Sequence, residues 1–157
     1  MTSAGTKLQD LFQAARARSI EWNGRTVYAM FEIAPIDPRA VITVDFLRHS
    51  AERPQVMVVN TRGARLKLGD RLSQTWNLWA DDAPGRRELS VVPDGAGAVS
   101  LRFWNGFEDR HGTMHAWTGN SGMLVTEVAE NVFRADCSDG WGDVAFGDLV
   151  VQFTLQA

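Results

Sequence analysis

From Glu21 onward, apolar and polar positions alternate with a period of two, the spacing of half-buried strands. Ile20-Glu-Trp22 and Thr26–Ile33 flank Asn23-Gly24, a pair that favours a two-residue hairpin turn. Further runs of strand character are Ala40–Leu47, Gln55–Val59, Leu66–Leu68, Leu72–Trp79, Glu88–Val92 and Val99–Trp104. Gly122–Val128, Asn131–Asp136 and Phe146–Leu155 complete the set. Turn residues separate them: Pro35 and Pro38, Asn60–Gly63, Asp81–Gly85 and Pro93–Gly97. About nine or ten short strands with no crossover helices between them predict an all-β, antiparallel sandwich of jelly-roll type. Trp76 and Trp79 lie three apart, so on one strand they point to opposite faces.

Only the N-terminal stretch has the other periodicity. Leu8, Leu11, Phe12 and Ala15 form one apolar stripe, which predicts an amphipathic helix over 3–18. Ser3 or Thr6 can cap it, and Arg16 and Arg18 suit its C-terminal end. Such a helix either packs on the sandwich or serves as a partner-binding arm.

At 157 residues the chain reads as one domain, 1–157, with the sandwich over 20–157. A formal charge of −3 with no basic stripe argues against nucleic acid. No apolar run is long enough to span a membrane. The first ten residues lack the apolar segment of a secretory signal, which predicts a cytoplasmic or non-classically exported protein. Cys137 is the single cysteine, so no internal disulfide forms. Its neighbours Asp136 and Asp139 raise its pKa and make it a poor nucleophile.

Candidate chemistry gathers near the C-terminus. Ser138-Asp-Gly-Trp-Gly-Asp-Val-Ala-Phe-Gly-Asp148 runs directly into the apolar Leu149–Leu155. The EF-hand pattern is absent: counting from Asp136, the sixth position is Trp141 and the twelfth is Gly147. The string instead resembles the calcium-binding end of small bacterial fucose- and mannose-binding lectins. It is also similar to the end of Asp-rich calcium β-sandwich domains. The resemblance covers about the last 20 of the 157 residues. It implies Ca²⁺ held by Asp143 and Asp148, with Asp139 as an extra ligand upstream, and sugar hydroxyls completing the ion's shell. Ala145 and Gly147 depart from the pattern, since neither offers a side-chain oxygen where those families have one. The alternative role of Asp139 and Asp148 is to accept backbone N–H bonds and fix the loop.

The second candidate is the stretch 104–122. Trp104 and Trp117 offer flat apolar faces for sugar rings, and Asn105, Glu108, Asp109 and Asn120 offer partners for hydroxyls. The two Trp side chains can equally be core residues at strand ends. His111 and His115, with Glu108 or Asp109, can ligate Zn²⁺ or Ni²⁺. Catalysis has little support, because no Gly-x-Ser-x-Gly elbow and no Gly-rich phosphate loop is present. The expected function is therefore non-catalytic carbohydrate binding through Trp104, Asn105, Glu108, Asp109 and Trp117, assisted by calcium at Asp139, Asp143 and Asp148. A structural or assembly protein, binding other chains or its own copies through a sheet edge or the helix, is the other class.

Overall fold

The computed structural model describes residues 6–157. They form one short helix, α1 (Leu8–Ala15), and then strands throughout. The first strands are β1 (Ser19–Trp22), β2 (Arg25–Tyr28), β3 (Phe31–Ile36) and β4 (Val41–His49). Next come β5 (Gln55–Arg62), β6 (Ala64–Leu68), β7 (Arg71–Ser73), β8 (Thr75–Trp79) and β9 (Arg86–Pro93). The last are β10 (Val99–Glu108), β11 (Met114–Ala116), β12 (Gly122–Ala129), β13 (Val132–Ser138) and β14 (Leu149–Gln156). One sheet has nine strands in the order β1-β2-β12-β13-β14-β4-β9-β6-β7. The other has the order β11-β10-β5-β8, with β3 also paired to β10. All pairings are antiparallel, so the molecule is the all-β sandwich with an N-terminal helix that the alternation predicts.

The strands outnumber the expectation for a physical reason. Two apolar segments that read as continuous change sheets partway. Residues 26–33 divide into β2 in the larger sheet and β3 in the smaller. Residues 72–79 divide into β7 and β8 in the same way, and β11 adds a short strand in the irregular stretch 104–122. Both sheets share one interior, so the alternation carries on through each crossing.

That interior is aromatic at its centre. Phe103 of β10 stacks on Phe153 of β14, with ring centroids 4.1 Å apart and planes 20° apart, and both are fully buried. Phe31 leans on Phe103 at 5.5 Å and on Phe133 at 5.9 Å, so it bridges the two sheets. The Asn23-Gly24 hairpin forms as read: Trp22 pairs with Arg25, and φ is 51° at Asn23 and 77° at Gly24. Trp76 faces the interior, donating its indole N–H to Leu66 O at 2.9 Å, while Trp79 pairs with Val56 on the opposite face.

The helix is shorter than the stripe predicts. It ends at Ala15 because Arg16 takes the left-handed conformation, φ 50°. Its N-cap is Lys7, whose N–H donates to Asp10 Oδ2 at 3.2 Å; Ser3 lies outside the described residues. Leu8 is buried, Leu11 and Phe12 are half-buried, and Ala15 is exposed. The first-turn N–H groups, which no helix can satisfy internally, find the 118–120 loop. Leu8 N–H donates to Asn120 Oδ1 at 3.1 Å and Gln9 N–H to Gly119 O at 2.9 Å. Gly119 N–H returns a bond to Gln9 Oε1 at 2.8 Å.

Candidate functional site

The two segments singled out in the sequence meet. Asn105 on β10 donates its amide to Ser138 O at the end of β13, 2.9 Å away. The loops beyond these strands then pack glycine to backbone. Gly119 has φ 55°, and a Cβ there would collide with the carbonyl oxygen of Gly140. A Cβ on Gly140 would lie 2.6 Å from Thr118 O and 2.9 Å from the Phe107 ring. Only residues without a side chain allow this approach.

Asp139 is the hinge of the arrangement. It is fully buried, and its Oδ2 accepts from Arg53 Nη1 at 2.7 Å and Gln55 Nε2 at 3.0 Å. Its Oδ1 accepts the Trp141 N–H at 2.9 Å, an Asx turn. Arg53 comes from the 50–54 loop and also reaches Glu52 at 3.3 Å. Its guanidinium lies 5.6 Å from the centre of the Trp141 ring, a cation–π contact. Trp141 is 61% exposed. A cleft of about 390 Å³ opens here, lined by Glu52, Arg53, Pro54, Phe107, Glu108, Asp109, Arg110, His111 and Trp141.

Asp109 anchors the turn from β10 to β11. Its Oδ1 accepts the N–H groups of His111 at 2.8 Å and Thr113 at 3.0 Å. Its Oδ2 meets His115 Nε2 at 2.8 Å, and His115 stacks on Phe107 with centroids 5.1 Å apart. The hydrogen bond from His115, aided by the backbone donors, lowers the Asp109 carboxyl to about 2. It is therefore a fixed anion at the cleft wall throughout the neutral range.

Among the described residues the three C-terminal carboxylates do not come together as one ligand group. Asp139 already receives three donors, one of them a guanidinium, and a dication beside it would have to displace Arg53. Asp148 Oδ2 accepts the Asp139 N–H at 3.1 Å, and Asp143 is exposed. Among the described residues no group of three or more Asp, Glu, His or Cys side chains is placed to hold a metal, at the acidic loop or around His111. Burial raises the thiol of Cys137, and the charges of Asp136 and Asp148 raise it further.

Asp148 offers a direct test of the two roles. Burial pushes its carboxyl above the ordinary value, the Asp139 N–H pulls it back, and the Asp139 charge adds to the rise. A raised folded-state value means that the native protein holds this proton more tightly than the unfolded chain does. That stability is complete below about pH 4 and is lost as pH rises through the folded-state value. Asp148→Asn keeps an acceptor for the Asp139 N–H and never ionises. It is expected to melt with the wild type in acid and above it in neutral solution. The contrary result is a wild-type melting temperature that rises in Ca²⁺ over EDTA and a variant that loses the rise.

The ligand residues expected from sequence thus fall in three places. Glu108 and Asp109 line the cleft. Asn105, 1% exposed, is a tie between loops. Trp104 and Trp117 sit together on another surface, their rings 5.0 Å apart, with Trp117 Nε1 donating to Ala29 O at 2.9 Å. Arg53 was missed, and nothing local in the sequence marks it, because its partner Asp139 is 86 residues away. No family model, curated protein or solved structure matches this chain. Among the described residues no helix is long and apolar enough to cross a membrane.

Proposed function

We propose that the protein is a non-catalytic ligand-binding sandwich and that its ligand is a carbohydrate. One observation carries the reading: an exposed indole, Trp141, lines a cleft whose other walls combine charged side chains with Pro54 and Phe107. A sugar ring has an apolar CH face and a rim of hydroxyls. Trp141 suits the face, and Glu108, Glu52 and Arg110 suit the rim as charge-assisted partners. Arg53, braced by buried Asp139, keeps the indole in place before any ligand arrives, which lowers the ordering cost of binding. Calcium enters this reading only if Arg53 leaves Asp139.

A glycan array with the full chain, followed by calorimetric titration of any hit, tests it. Trp141→Ala and Glu108→Gln should each weaken binding by about tenfold or more. Trp141 is largely exposed, so its replacement should leave stability within about 0.5 kcal/mol. Silence on the array, together with a defined oligomer in solution, would favour an assembly role instead.

A further inference from the structure

Among the described residues, four non-glycine positions have a positive φ: Arg16, Asn23, Trp117 and Asn131. The two asparagines occupy the turns β1–β2 and β12–β13, where that residue tolerates the left-handed region. Arg16, at φ 50°, is the left-handed cap that ends α1, whereas Trp117, at φ 60°, has no such role; both line one groove of about 390 Å³ beside α1. A bulky residue in this region is strained, and such strain concentrates at binding sites.

Trp117 is held against that strain by its indole bond to Ala29 O and by the Trp104 ring. It still keeps 44% of its surface exposed, so core packing does not account for its placement. Across the groove, Gln9, Phe12, Gln13 and Arg16 recur at spacings of three and four and form one wall. Gln9 accepts the Gly119 N–H through Oε1, which leaves its amide NH₂ as a donor. Arg18 lies 3.6 Å from Glu32, whereas Arg16 is in no ion pair among the described residues. On a chain of net charge −3, this groove has one uncompensated cation next to an open indole.

We infer that the groove is a second carbohydrate site, selective for acidic saccharides: the pyranose ring stacks on Trp117, Gln9 and Gln13 bond hydroxyls, and Arg16 pairs with the carboxylate. A single carboxylate matches the one uncompensated guanidinium. Arg18, the groove's other cation, is already paired with Glu32. This goes beyond the cleft reading. The two sites share no lining residue, so each can fail alone.

Calorimetric titration of the full chain with a trimer of galacturonic acid, and with the galactose trimer of the same linkage, tests the inference. The acidic trimer should bind at least about tenfold more tightly than the neutral one. Arg16→Gly suits the left-handed backbone, so its melting temperature should hold or rise while acidic-trimer binding weakens about tenfold. Trp117→Ala should abolish binding of the acidic trimer, and Trp141→Ala should leave it intact. Equal affinity for the two trimers, no binding of either, or wild-type affinity in Arg16→Gly overturns the inference. So does loss of binding in Trp141→Ala, which would assign the trimer to the cleft.

Discussion

Replacing Arg53 with Met is expected to destabilise the protein by about 3–5 kcal/mol, lowering its melting temperature by roughly 10 °C. The reason is the partner left behind. Asp139 has no exposed surface, and its shortest contact is the guanidinium at 2.7 Å. Without it a carboxylate remains inside with only Gln55 and one backbone N–H as donors. Arg53→Met with Asp139→Asn removes both charges together, and the pair should be milder than Arg53→Met alone. Urea denaturation of the wild type and these two variants measures this. A loss in Arg53→Met within about 1 kcal/mol would mean that water reaches Asp139 and that the bridge behaves as a surface pair. The experiment also bears on the cleft, because the same guanidinium holds Trp141.

Phe153→Ala should cost about as much, 3–5 kcal/mol by the usual range for a buried Phe. Phe153 is fully buried and stacks on Phe103 from the opposite sheet. Truncation leaves a cavity at the centre of the interface between the sheets, where strands paired on both sides cannot easily collapse inward. Leu47→Ala is the control: at 53% exposure it should change stability by less than about 0.5 kcal/mol. A similar small loss at Phe153 would require the sheets to be loosely packed there.

What could be read from the sequence was whatever depends on near neighbours. Alternation along β9 and β10 announces one buried face, and Asn23-Gly24 announces its own turn. The acidic character around Cys137 was visible, although burial proved the larger cause of its raised thiol. Sheet changes were hidden, because a strand crossing from one layer to the other keeps its inward face. The end of α1 was hidden too: Arg16 leaves the helix although the apolar stripe and its own propensity would carry on. Of the site, Glu108, Asp109 and the loop containing Trp141 lay in the stretches singled out. Their organiser did not, since charge pairing across 86 residues has no periodicity to betray it. The carboxylates of the final loop were read as a set, yet Asp139 turns to Arg53 and Asp148 to the backbone of Asp139.

The place of β14 has a consequence for how the molecule is made. It lies between β13 and β4, with β1, β2 and β12 on one flank and β9, β6 and β7 on the other. Without residues 149–156 the nine-stranded layer would lack the strand that joins β13 to β4, and both of those strands would present an unpaired inner edge. A chain truncated before Leu149 is therefore expected to self-associate through those open edges, which size-exclusion chromatography would show.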